Sequence, residues 1–417
     1  MPGEGVEPSR AEAHGFLRPA RLPVPPSRPS RSRVAGRRFG TRRNTRAGLV
    51  ALLAVTVSAC TEVLPPLSSD DGTPTIAFLF DGAPPDSELV TASALAGLEL
   101  AAHEAADVEV VPVNLGLEGD EVMASLRALG EDVSVVAAVV SPWTAPPSGA
   151  IDLLAEHGMP VVTLSWAWGP PADDAVPWLS LAPTQAGEAV NLLASAADIA
   201  PVGATLCLAG DDHVTSRALL ETAEELGRAA GDPDVAVAGI ASTERPETAH
   251  AVVARIAEAG CPILVWTGGT AAVQAVLSPM SDPPTVVGTS RIKTDDGLDL
   301  AASGVEVHTV CACADVSLSL EPDRQRFVHD LQAESGAPPG PFGLEAYDVG
   351  HLLAGLSDAT EGGAPREELA VALRGLRDLD GLGGPYAFEA DGSRAPQTFS
   401  VGRWRAAGSR WLSAEPA

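Results

Sequence analysis

Lysine is almost missing from this 417-residue chain: Lys293 is the single lysine among 27 basic residues. Set against 55 acids, that shortage of cations leaves a formal net charge of −28. Nucleic-acid binding needs a basic footprint, so that class of partner is excluded. The lack of lysine also points to a high-GC coding bias. No stretch beyond residue 60 stays apolar for the roughly 20 residues that a membrane-spanning helix needs. The five cysteines show neither a dense disulfide framework nor zinc-ligand spacing. The sequence has no Gly-x-Ser-x-Gly elbow, no phosphate-cradling loop with Lys-Ser/Thr and no His-Glu-x-x-His pair. Its eight histidines are scattered. Catalysis is therefore not expected, and neither metal nor cofactor is called for. Aromatic residues make up only 4% of the chain, so each tryptophan carries information.

What is present begins with one basic-then-apolar stretch, "RRNTRAGLVALLAVTVSACTEV". Arg42, Arg43 and Arg46 precede an apolar run that ends near Ala59, too short to span a bilayer. A positive segment followed by such a run reads as an export signal. Its end, Val57-Ser58-Ala59-Cys60, resembles a bacterial lipobox, which implies cleavage before Cys60 and a lipid on its thiol. An ordinary secretory signal that happens to contain a cysteine is the alternative, and a core helix is a third reading. Residues 1–40 are rich in Arg and Pro without apolar periodicity, the composition of a disordered leader or of an over-called start codon. Residues 41–59 are then the signal peptide and 60–73 ("TEVLPPLSSDDGT" after the cysteine) a tether. The part from Cys60 onward carries 16 bases against 52 acids. Such a domain suits a position beside, but not against, an anionic membrane surface.

From Thr75 the chain alternates apolar runs of strand length with amphipathic helices: "TIAFLF", "VEVVPVN", "VSVVAAVV" and "MPVVTLSW" are separated by helical segments. The unit starts again at "GATLCLAG" and continues through "VAVAGIA", "CPILVWTG" and "PTVVGTS". Continuous apolar strands joined by helices mean parallel sheets covered on both faces. Two such units in succession give an α/β fold of two Rossmann-like lobes, with ligands expected outside the carboxyl ends of the strands. Cys207, Cys261, Cys311 and Cys313 are read as free, half-buried thiols, although export also permits disulfides.

Several segments, in order, resemble the type I periplasmic binding proteins, specifically the leucine/isoleucine/valine-binding branch: "VAAVVSPWTAPPSGAIDLLAEHGMPVVTLSWA", "LCLAGDDHVTSRALLE", "FGLEAYDVGHLLAGL" and "GLGGPYAFEADGSR". The resemblance implies three crossover segments, placed near Leu181, Val310 and Pro385. Lobe 1 would then hold residues 74–181 and 311–384, and lobe 2 residues 182–310 and 385–417. It further implies an extracytoplasmic, lipid-anchored, monomeric solute-binding protein that closes on its ligand and delivers it to the permease of an ABC importer. A sensor or envelope-enzyme partner of the same fold is the alternative.

Loop chemistry nominates the pocket. The loop "SPWTAPPSG" offers Ser141, Thr144 and Ser148 beside a helix start, where N–H groups suit a carboxylate; Ser148 can equally be only a helix cap. Ser165, Trp166, Ala167 and Trp168 follow a parallel strand, the tryptophans as pocket wall or as lobe-edge packing. Trp266 is another strand-end aromatic. Asp81 and Asp211 also stand at strand ends, as cleft acids or solvated turns. Relative to the family, a tyrosine position in the second lobe reads His213, and the acid that pairs a ligand ammonium reads Ser290, followed by Arg291. The ligand is therefore expected to be small and polar, amino-acid-like or carboxylate, with simple branched-chain amino acids disfavoured.

Overall fold

Apolar runs in this chain become parallel strands because the intervening segments carry their own start and stop signals. In the computed structural model, the described residues are 73–81, 85–105, 108–116, 120–171, 177–231, 234–314, 320–358, 365–396 and 401–414. The leader, the signal segment, Cys60 and all but the last residue of the tether lie outside them. Among the described residues no helix is long and apolar enough to cross a membrane.

The first sheet takes β1 (Thr75–Phe80), β2 (Glu109–Asn114), β3 (Val135–Val140), β4 (Val161–Thr163) and β5 (Trp178–Ser180), in the order β2-β1-β3-β4-β5. All its pairings are parallel. Between these strands run α1 (Pro85–Ala105), α2 (Asp120–Glu131) and α3 (Ala150–Glu156). After β5 come α4 (Gln185–Ile199), β6 (Leu206–Asp211), α5 (Val214–Ala230), β7 (Val235–Ala241), α6 (Pro246–Ala259), β8 (Ile263–Trp266), α7 (Thr270–Leu277) and β9 (Thr285–Thr289). A single 3-10 turn, Ser290–Ile292, leads to α8 (Asp295–Ala302) and β10 (Val307–Cys311). The chain then forms α9 (Pro322–Ser335), α10 (Gly343–Asp358), α11 (Pro365–Gly375), the hairpin β11–β12 (Asp378–Gly381, Gly384–Ala387) and the hairpin β13–β14 (Gly402–Ala407, Arg410–Ser413). The second sheet has the order β14-β13-β10-β9-β8-β6-β7. Its β13–β14 hairpin adds antiparallel to β10.

Local chemistry fixes the boundaries. Thr184 caps α4 by accepting from the Gly187 N–H at 3.1 Å, and Thr294 does the same for α8. Helices α5 and α6 end on Gly231 and Gly260 with φ of 72° and 63°, the left-handed exit that glycine enters at least cost. Period-two alternation sends Ile263 and Val265 of β8 to one core and Leu264 and Trp266 to the other. Helix α10 lies along α1, where a Cβ on Gly97 would collide with the backbone of Gly343. This places α10, although late in sequence, on the first lobe.

The chain passes between the lobes where buried polar groups gather. At the first crossing, the Leu181 carbonyl accepts from Arg394 Nη1 at 3.1 Å. At the second, beyond β10, the Ala312 N–H is hydrogen-bonded by Glu188 of α4 and the Ala314 N–H by Glu345 of α10 at 2.6 Å. Burial pushes both carboxyls up to about 7 despite those bonds. The third crossing comes later than Pro385. That residue sits in the β11–β12 hairpin, which Asp348 of α10 holds by accepting from the Leu382 and Gly383 N–H groups and the Tyr386 hydroxyl. Gly392 then pairs with Ser180 at 3.0 Å, and the chain enters the second sheet only at Gly402.

The cysteines are not free thiols. Cys207 bonds Cys261, with Cα atoms 5.6 Å apart, because β6 and β8 are neighbours in the sheet. Cys311 bonds Cys313 across a Cα separation of 5.1 Å. In an extended strand two residues span more than this, roughly 6.6 Å. The chain bends as it leaves β10, which brings the two sulfurs together.

Candidate functional site

The carboxyl ends of both parallel sheets face each other, and two side-chain contacts join the lobes there. The Trp143 indole Nε1 donates to Ser290 Oγ at 2.9 Å. His213 Nε2 lies 3.7 Å from Asp81 Oδ2, while its Nδ1 pairs with Thr215 Oγ1 at 2.7 Å.

On the first lobe, the loop after β3 is held by its own hydroxyls. Ser141 donates to Thr91 Oγ1 at 3.2 Å. Thr144 Oγ1 accepts from the Asp81 N–H at 3.4 Å, and its carbonyl accepts from Ser165 Oγ at 2.8 Å. Ser165 Oγ also accepts from the Ala167 N–H at 3.3 Å. These three hydroxyl residues are buried to within 1%. They knit the loops after β3 and β4 together, so in this conformation they shape the cleft wall. Ser148 is exposed, and the helix it precedes has no side-chain cap. Trp143 itself has φ of 66°, a left-handed backbone that is a genuine outlier for a bulky residue and recurs at functional sites. Its ring stands edge-to-face with Trp166 at 6.1 Å, a preferred aromatic geometry.

On the second lobe, Asp211 at the end of β6 is the organising group. Its Oδ2 accepts from the Gly269 N–H at 2.7 Å and its Oδ1 from the His213 N–H at 3.2 Å. A side chain on Gly268 would meet the Asp211 carboxylate, so the "WTGG" turn needs a glycine there. Arg291 Nη1 reaches Asp211 Oδ1 at 3.4 Å and Nη2 lies 3.3 Å from Oδ2. Burial alone would raise the Asp211 pKa, but the Arg291 charge and the Gly269 bond hold it below the usual carboxylate value.

The structure thus gathers Asp81, Ser141, Thr144, Ser165, Trp166, Ala167, His213, Ser290 and Arg291 at the facing strand ends. Trp266 is the exception. Its ring is fully buried in the second-lobe core and its Nε1 donates to the Gly269 carbonyl at 3.0 Å. Alternation along β8 puts it on the Leu264 face, away from the role of a pocket wall. Trp168 likewise is a core residue of the first lobe. Trp143 was the residue that sequence reasoning passed over, although an indole between two proline-containing turns at a strand end was the available signal. Among the described residues, no cluster of His, Cys, Asp or Glu could hold a metal ion.

The model of the periplasmic binding protein family matches residues 73–409. The chain belongs to that family. No curated protein matches it. Among solved structures, LivJ of Streptococcus pneumoniae, a branched-chain amino acid transporter substrate-binding protein in complex with isoleucine, aligns with a TM-score of 0.64 at 16% identity, covering 82% of this chain and 100% of that one. An ABC transporter substrate-binding protein from Desulfitobacterium hafniense complexed with Leu aligns at 0.60 and 15%, covering 82% and 99%. A solute-binding protein from R. palustris in complex with benzoate aligns at 0.60 and 15%, covering 81% and 94%. At such identities these likenesses speak for the fold. The family is one of solute-binding proteins rather than of enzymes.

Proposed function

We propose that this periplasmic binding protein is a monomeric, lipid-anchored, extracytoplasmic receptor that delivers a small polar ligand, amino-acid-like or carboxylate, to the permease of an ABC importer. The observation that carries this reading is the pair of contacts, Trp143 to Ser290 and Asp81 to His213, that join the two lobes at their strand ends. Such contacts belong to a hinged clamp, whose crossovers absorb the dihedral change when the lobes part. The isoleucine, leucine and benzoate carried by the aligned proteins set the range of ligand size. Small-angle scattering of the purified chain, with and without a pooled panel of amino acids and carboxylates, should show a smaller radius of gyration in the pool. An unchanged radius would point to a rigid partner-binding role. Anchoring is tested separately: Cys60→Ala should move the protein from the membrane fraction to the medium, and retention in the membrane would mean that the apolar run is an uncleaved anchor.

A further inference from the structure

Unspent hydrogen-bonding capacity beside the Trp143 contact is of one kind. The buried side-chain atoms there without a hydrogen bond are Nε1 of Trp166 and Nε and Nη2 of Arg291. All three are donors. Arg291 is 1% exposed, it immediately follows the Ser290 that receives the Trp143 indole, and its 3-10 turn touches α1 of the opposite lobe. Buried donors in native proteins nearly always have acceptors. Orphaned donors on two residues that adjoin this contact, Trp166 through its ring packing on Trp143 and Arg291 next to Ser290, therefore call for one.

The chemistry of the guanidinium sharpens this. Arg291 spends Nη1 on Asp211. Its Nη2 is within ion-pair distance of the same carboxylate but off the angle that a hydrogen bond requires. The remaining Nε and Nη2 lie on one edge of the planar fork, the edge that binds a carboxylate through two parallel bonds. Of the hydroxyls first nominated for that task, those of Ser141 and Ser165 donate within their own lobe, whereas Thr144 Oγ1 accepts from the Asp81 N–H and keeps its own O–H to add to the carboxylate. Asp211 already accepts from two backbone N–H groups and Arg291.

We infer that the ligand is a monocarboxylate, aliphatic or aromatic, whose carboxylate seats on the Nε/Nη2 edge of Arg291 and the Trp166 indole, with its apolar body against the Trp143–Trp166 pair. This rests on the solute-binding reading above and adds to it the ligand's chemistry and its orientation. The carboxylate belongs to the second-lobe side of the cleft, and no ammonium is required. The competing class is an amine directed to Asp81, the cleft acid not tied to Arg291.

Four probes separate these classes in thermal-shift and calorimetric titrations of the purified full chain: 4-methylpentanoate, benzoate, leucine and 3-methylbutylamine. At least one of the two plain carboxylates should stabilise the protein and 3-methylbutylamine should not. Trp166→Phe, which keeps a ring and removes the donor, should weaken carboxylate binding about tenfold, and Arg291→Lys, which keeps the charge and removes the edge, about a hundredfold. The Trp166 variant keeps the test decisive if the Arg291 variant fails to fold. Stabilisation by the amine, by leucine without either plain carboxylate, or by none of the four would overturn the inference. Closure in the pooled scattering experiment alongside any of these results would leave the solute-binding reading standing and remove the carboxylate assignment alone.

Discussion

The cleft and the crossovers are both buried and polar, yet their unspent capacity is of opposite sign. In the cleft the orphaned atoms are donors on Arg291 and Trp166. At the crossovers they are acceptors, Oε2 of Glu188 and Oε2 of Glu345. A carboxyl whose pKa stands at about 7 can shed its buried charge by taking up a proton. A guanidinium has no such recourse, because it does not lose its charge in proteins. The crossover carboxyls can therefore relieve their burial by titrating, whereas the cleft donors call for an acceptor from outside.

The strongest way to break this contrast is to remove the cleft cation. Arg291→Met leaves Asp211 buried without its counter-ion and should destabilise the fold by about 3–5 kcal/mol, read from urea denaturation. Adding Asp211→Asn should recover most of that loss. If the single variant costs less than about 1 kcal/mol, the pair is not the anchor described above.

Next comes pH. Both crossover carboxyls have folded-state values raised from 4.5 to about 7. Between these limits the native state binds more protons than the unfolded chain, so stability is fully present below the unfolded value and is lost as pH rises through 7. The loss approaches about 3 kcal/mol per carboxyl at most. Melting temperatures between pH 5 and 8 should fall accordingly, and Glu188→Gln and Glu345→Gln should each flatten the curve. A profile unchanged in the double variant would assign the titration to other groups.

Smaller effects are expected from single neutral donors. Tyr386→Phe removes the 2.6 Å bond to Asp348 that steadies the β11–β12 hairpin and should cost about 1–2 kcal/mol in chemical denaturation. Trp143→Phe keeps a ring in the cleft and deletes the bond to Ser290. It should shift the ligand-free ensemble toward open forms by about 1 kcal/mol, seen as a larger radius in scattering with little change in melting temperature.

Much of the fold was legible because it depends on local pattern. The run "VSVVAAVV" is β3 with all six strand residues buried, and "FGLEAYDVGHLLAGL" is α10. The site was legible only as a set of strand ends. Trp143 and Ser290 are 147 positions apart, and nothing local announces that their side chains meet. Alternation along β8 separated Leu264 and Trp266 from Ile263 and Val265, but not which pair would point into which core. The cysteines were misread for a similar reason: Cys207 and Cys261 meet through the order of strands, and Cys311 and Cys313 through a bend that hydropathy does not record.

That bend has a mechanical consequence. A covalent ring through Cys311, Ala312 and Cys313, with the N–H groups of Ala312 inside it and Ala314 after it held by glutamates from opposite lobes, leaves this segment few torsional degrees of freedom. In the hinged clamp proposed above, rotation of one lobe against the other then falls to the other two crossings. The middle crossing would then act as a fixed pin, like a knuckle of a door hinge that does not flex.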